Sequence, residues 1–496
     1  MLIEGQIQTM SGSAQDWLGF GSVDEDNDPL VTTVLSIPVK KPARVLYHFF
    51  DPFGLPSSSS TFLTGGLNFK YAQSGITTCS AMTSPSWLWA VTGTGYSTTY
   101  PVPLGTGMNP LAVGVAYNEW PWIVTNLSGS EEGAQFHFVQ GLTSAGSADR
   151  SSEFGLMFES LGHVIHLLQD AAQPQHVRND AHLNPPRDLP AVEFLCGSNS
   201  SIYEIYVDNN VLGNPQWLTG YAPPAGAQFV SPMAFFISIA GFTNSNFISR
   251  GTNCTVPPTP SCSVAMPCNC GSGTSATSGY NVSYLSPYFS GPPISVPQGL
   301  GEIIFYQNTI YDPNTTTFAQ NDRMTSSSIF DLDLVAIGSA PKFTLNQLNY
   351  ANQARILVPM AEGYSAGLLN YFFRGSMSDA GNSNGFTITN NTMNGSVPEA
   401  MSGQFSLYYD DIYGNRNLVF ASDNIISGTW TISIPGNGTA STDMNGNSLS
   451  FTPPSDPPPA NPGQYILVFQ GVLGSDPFRA VAGSIVTIPS VIPPPQ

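Results

Sequence analysis

Four of the six histidines in this 496-residue chain fall between Leu161 and His182, in the stretch LGHVIHLLQDAAQPQHVRNDAH. His163, His166, His176 and His182 stand there beside Asp170 and Asp180. His166 and Asp170 are four apart, so on a helix their side chains stack on one side. His163 lies one turn earlier and shares roughly that side. Gln173-Pro174 then breaks the helix, and His176 can swing back toward the same point. Imidazole nitrogen and carboxylate oxygen converging from a helix and its following turn are donors that zinc takes. A lone histidine on a helix is more often packed into the core. That reading suits His163 and His137 but does not account for the crowding.

The helix that must carry His166 and Asp170 is expected to start at Ser151 or Ser152 as caps and to run to about Ala172, ahead of Pro174. Phe154, Met157, Phe158, Leu161, Ile165 and Leu168 recur at helical spacing and should face a core.

His166, Asp170 and His176, with Gln173-Pro174 between them, resemble the H-x-x-x-D-x-x-Q-P-x-H signature of the zinc-dependent phospholipase C and single-strand nuclease superfamily. Tyr47-His48-Phe49-Phe50-Asp51-Pro52 is similar to that family's H-F-Y-D-P element, and Tyr203-Glu204-Ile205-Tyr206-Val207-Asp208 to its Y-E-x-F-V-D segment. The likeness covers roughly Trp17 to Asp208, with long insertions. It implies a mostly helical fold and a zinc cluster in which the signature Asp bridges two ions. It also implies His48 and Glu204 as further ligands. A carboxylate from the Asp24-Glu25-Asp26-Asn27-Asp28 run would bind metal and act as base, with Asp26 the first choice and Glu25 the second.

The sequence departs from the family at three places. Ser200 stands where the family has a His four residues before the Glu, leaving His182 as the nearby substitute. No His precedes His48, so the third zinc site is incomplete and two ions are expected. His163 has no ligand role in the pattern. The expected ligands are therefore Asp26, His48, His166 and Asp170 for one zinc, and His176, Glu204 and His182 for another.

The formal net charge of −19, with 14 Lys and Arg, repels a polyanion rather than presenting the basic stripe that phosphate backbones bind. This favours phospholipid or another small phosphodiester over nucleic acid. Charged residues make up only 9% of the chain, far below the roughly one quarter usual in soluble domains, so polar surface must come from uncharged side chains. Four of the six cysteines crowd a Pro-, Gly- and Ser-rich stretch from Cys254 to Cys270, which favours disulfides and an extracytoplasmic, secreted or cell-surface setting. The first ten residues lack a signal peptide's basic head and apolar core. No apolar run approaches the ~18 residues of a membrane span.

The expected fold is mainly α over residues 1–375, phospholipase C/nuclease-like, with insertions near 56–130 and 252–297. Pro232 to Ile248 reads as a helix closed by the turn Thr243–Asn246. Thr344 should cap a long helix carrying Leu348, Ile356, Met360, Tyr364 and Leu368, kinked at Pro359 and ending at about Arg374. Residues 376–496 read as an all-β sandwich module with a Pro-rich tail. Its short strands include Phe405–Tyr409, Thr429–Ile434, Tyr465–Phe469 and Ser484–Ile488. That module could contact glycans or proteins, or only cap the enzyme. The functional expectation is a secreted zinc phosphodiesterase of the phospholipase C type. An extracellular structural or adhesive protein with a degenerate metal site, and a single-strand nuclease, stay open.

Overall fold

The computed structural model describes residues 13–24, 32–34, 37–39, 48, 124–125, 131–177, 201–218, 220–247, 249, 294–298, 301–310, 319–327, 336–337, 343–419, 428–454, 464–476 and 478–489. Asp26, His182, the six cysteines, the four tryptophans between 87 and 122 and the VIPPPQ tail lie outside them.

Seven helices occur among the described residues: α1 (Ala14–Asp24), α2 (Ala134–Thr143), α3 (Ser147–Asp170), α4 (Pro174–Val177), α5 (Ile202–Val211), α6 (Pro232–Asn246) and α7 (Gln347–Phe372). The chain is thus a helical assembly followed by a β module. The helices share a core that includes Leu161, Val164 and Leu168 of α3, Phe235 and Ile239 of α6, and Leu357, Tyr364 and Leu368 of α7. Ser238 and Tyr364 close a hydroxyl–hydroxyl bond of 2.6 Å between α6 and α7.

Helix α3 starts four residues before the expected serine caps. Asp149 lies in its first turn, where a carboxylate suits the positive end of the helix dipole. Arg150 then binds the carbonyls of Ser144 and Ala145 just upstream, at 3.0 and 2.6 Å. Helix α7 is capped by Asn346 rather than Thr344, because Asn346 accepts from Leu348 N and Asn349 reciprocates on Asn346 N. It passes Pro359 as one continuous helix and ends at Phe372. Thr243–Asn246 is the last turn of α6 rather than a turn beyond it, and Phe247 is where the backbone becomes extended.

The helical assembly also contains strands that the helix-period reading did not anticipate. Short pairs join β1 (Thr32–Val34) to β2 (Ile37–Val39) and β3 (Val124–Thr125) to β4 (Glu131–Glu132). A four-stranded antiparallel sheet runs β5 (Ile294–Gln298), β6 (Gly301–Ile310), β7 (Ala319–Ser327) and β8 (Phe343–Thr344). The expected insertion at 252–297 therefore ends inside strand β5.

The β module begins with β9 (Met377–Asn382) and β10 (Gly385–Asn390), a short pair β11 (Met393–Asn394) and β12 (Val397–Pro398), and β13 (Met401–Asp410). It continues with β14 (Arg416–Leu418), β15 (Thr429–Ile434), β16 (Thr439–Ala440), β17 (Gln464–Leu473) and β18 (Ala480–Thr487). One sheet is β16-β10-β9. The other is β14-β13-β17-β18, with β15 also on β13. Both bury a face in one core built on Phe386, Ile388, Phe405, Leu407, Trp430 and Phe469. Strand β17 is buried on both faces: Tyr465, Leu467 and Phe469 face that core, while Ile466 and Val468 meet Val139 and Leu142 of α2. Its unbroken YILVF run follows from that double burial, since no position is left for a solvated residue.

Candidate metal centre

Helix α3 delivers His166 and Asp170 one turn apart, with His166 Nε2 3.5 Å from Asp170 Oδ2. Gln173 ends the break that follows, its side-chain oxygen accepting from Gln175 N at 2.6 Å and His176 N at 3.4 Å. Pro174 opens α4, where its missing N–H costs nothing. This tight turn brings His176 back, its Nδ1 3.4 Å from Asp170 Oδ1. Asn244 of α6 holds the far end of α4 by donating to the Val177 carbonyl.

Two further residues arrive from distant sequence. His48 is buried and its Nδ1 lies 2.8 Å from Asp170 Oδ2. Its ring meets that of His166 edge-on, with centroids 5.0 Å apart. Glu204, in the first turn of α5, places Oε1 3.3 Å from His176 Nε2. The same carboxylate closes a capping box, with Oε2 accepting from Ser201 N and Ser201 Oγ accepting from Glu204 N.

Two contacts that sequence spacing did not reveal orient this set. His166 Nδ1 lies 2.8 Å from the Ser22 carbonyl in the last turn of α1. A carbonyl can only accept, so this contact puts the proton on Nδ1 and leaves Nε2 as the ligand nitrogen. Gln173 Nε2 donates to Glu204 Oε1 at 2.9 Å and to Ser201 Oγ at 3.1 Å. A main-chain carbonyl leaves no mark in a sequence. The Gln173 contact depends on where α5 docks.

Electrostatics follow from three imidazoles around one buried carboxyl. Burial would raise the Asp170 carboxyl, but His176, His166 and His48 outweigh it and hold Asp170 well below the usual range. Burial would likewise lower His176, yet Asp170 and Glu204 on its two sides raise it.

The donor set fits a divalent ion. One ligand atom each from His48, His166 and Asp170 can be chosen so that all lie within 4.8 Å of one another. A tetrahedral zinc with bonds of about 2.1 Å sets its ligand atoms ~3.4 Å apart. The His166 Nε2–Asp170 Oδ2 and His176 Nε2–Glu204 Oε1 separations of 3.5 and 3.3 Å are close to that edge, while His48 Nδ1 lies nearer to Asp170 Oδ2, at 2.8 Å. Nitrogen and carboxylate oxygen donors without thiolate suit zinc among other transition metals.

Of the expected ligands, His48, His166, Asp170, His176 and Glu204 meet in one place. Asp26, its second choice Glu25, and His182 lie outside the described residues. Helix α1 does reach Asp24, with Ser22 already against His166. His163 is buried on α3 and is not among the group of three that could hold a metal. His137 pairs instead with Glu153, Nδ1 to Oε2 at 2.7 Å, between α2 and α3. No helix among the described residues is long and apolar enough to cross a membrane. No family model matches the chain, and no curated protein matches it.

Proposed function

We propose that the chain is a zinc-dependent phosphodiester hydrolase of the phospholipase C type. The observation that supports this reading is the meeting of His48 and Glu204, from distant parts of the chain, with the His166-Asp170-His176 turn. His48, His166 and Asp170, with Asp26, would hold one zinc. His176 and Glu204, with His182, would hold a second. Bound zinc supplies Lewis-acid stabilisation of phosphoryl oxygens and a water whose pKa falls to about 7. The remaining work belongs to side chains. Ser22 keeps His166 in the tautomer whose Nε2 faces the site, and Asp170 gathers three imidazoles. Asp26 would orient the attacking water and take its proton. The strongly acidic chain favours a phospholipid or small phosphodiester over a nucleic acid.

The test is zinc content of the purified full-length chain, with hydrolysis of a chromogenic phosphocholine ester and of bis(nitrophenyl) phosphate, before and after a chelator. Two zinc ions per chain and chelator-sensitive hydrolysis, both lost in Asp170→Asn, are expected. Absence of bound zinc would sink the proposal. Bound zinc without hydrolysis of any phosphodiester would support a structural or adhesive protein, which Ser200 in place of the family's His favours.

A further inference from the structure

We infer that Gln173 is a positioning residue that fixes Glu204 and His176 relative to one another and so builds the second metal position. This deepens the zinc reading above and rests on it.

Gln173 is buried, and its amide uses both ends at once. The oxygen accepts from the main-chain N–H groups of Gln175 and His176, which sets the turn that returns the His176 ring. The nitrogen donates to Ser201 Oγ and Glu204 Oε1, at the cap and in the first turn of α5. Among side chains of this length, only an amide offers an acceptor and two donors from one terminal plane. The carboxylate of Glu204 is thereby held at both oxygens, Oε2 on Ser201 N and Oε1 on Gln173, with Oε1 facing His176 Nε2. His48, His166 and the α1 carbonyl make no use of Gln173 in the contacts described above. Asp170 does touch His176, at 3.4 Å, so the effect should fall mainly, though not solely, on the second metal position.

The experiment titrates the metal-free full-length chain with Zn²⁺ alone, and separately with Co²⁺ followed by its visible absorption. Wild type is compared with Gln173→Met and Gln173→Glu at matched helical circular dichroism. Wild type should take up two ions. In Gln173→Met the first should bind nearly as in wild type and the second about 10- to 100-fold more weakly, the range seen when groups behind metal ligands are removed. The cobalt absorption of that second ion should change in intensity. A purely structural role would lower stability without splitting the two affinities. Gln173→Glu keeps the oxygen that accepts from the α4 turn but has no N–H for Glu204, so it carries the test should Gln173→Met not fold. Wild-type affinities at both positions in a folded variant would overturn the role of Gln173 alone. A wild-type chain that takes up no metal would overturn this inference together with the proposed function.

Discussion

Asp170 spends both carboxylate oxygens on histidines, Oδ2 toward His48 and His166 and Oδ1 toward His176. Asp170→Asn keeps the shape and removes the charge, leaving a neutral amide among three imidazoles. We expect zinc to be lost and the metal-free protein to lose about 1–3 kcal/mol, the scale of depriving buried polar groups of a charged partner. Urea unfolding with and without zinc measures both, and unchanged zinc uptake would remove Asp170 from the centre. His166, Asp170 and His176 were legible because their spacing alone puts them on one helix face and the turn after it. His48 and Glu204 were legible only through likeness to short family words. No local period links them to Asp170. Ser22 acts through its main chain, where residue type says nothing.

At the scale of elements, the site depends on how closely α1 lies against α3. A Cβ on Gly162 would come within 2.3 Å of the Leu18 carbonyl, and one on Gly21 within 2.0 Å of the Glu159 carbonyl. Gly162→Ala should therefore push α1 away, cost about 1–3 kcal/mol as overpacking does, and draw the Ser22 carbonyl from His166. Thermal unfolding and zinc titration should both fall; a variant with wild-type values would show that α1 does not support the site. The β module offers a second case in its paired turns, Asp411–Asn415 and Asp443–Asn447, which share the pattern D-x-x-G-N. Each aspartate accepts two main-chain N–H groups and the amide of the closing asparagine. Desolvation opposes the shift at Asp411, but bonds from Asn415 and Tyr413 hold its carboxyl low; at Asp443 the Asn447 amide leads. Folded values below the usual 3.8 mean that the unfolded chain binds more protons as the medium acidifies. Their stabilisation is thus present above 3.8 and lost as pH falls through the folded values. The double variant Asp411→Asn, Asp443→Asn should show a flatter acid limb in urea midpoints than wild type. An identical limb would discount these turns. Four of the module's strands were readable as short apolar runs between Gly, Asn and Pro turns, whereas short ones such as β11, β12 and β16 carry no such run. Helix starts were not readable, since α3 begins at Ser147 without a side-chain cap, beside the Arg150 bonds to the Ser144 and Ala145 carbonyls, and α7 begins at the Asn346 cap rather than at Thr344.

For the whole molecule, the two halves that composition separates near residue 375 are joined by buried polar groups. Arg374, just past α7, donates to Glu399 at 2.7 Å and to Asp476 at 3.1 Å, and lies over the Tyr371 ring at 3.6 Å. Tyr371 also donates to Asp476, at 2.7 Å. Asn394 reaches back to the carbonyls of Gly226 and Phe229. On another flank Arg416 binds the Leu142 carbonyl and Arg150 the Gly414 carbonyl, beside the apolar contact of α2 with β17. Sequence could mark the change of period at the boundary but not this union, because each partner looks like an ordinary surface charge until the halves meet. Arg374→Met leaves two buried carboxylates without their cation, a change that typically costs about 3–5 kcal/mol. Burial already raises the Asp476 carboxyl, against the bonds from Phe478 N, Tyr371 and Arg374 that lower it. Without Arg374 it should rise further, so the folded variant holds its proton to higher pH than the unfolded chain does. The penalty therefore grows as pH climbs through that raised value and shrinks toward the acid side, where the carboxyl is neutral in both states. Calorimetry of wild type and Arg374→Met across that range should show the gap narrowing on acidification, with the variant's transition splitting into helical and β components at neutral pH. A single transition at the wild-type midpoint would mean that the apolar contact of α2 with β17 suffices to unite the halves.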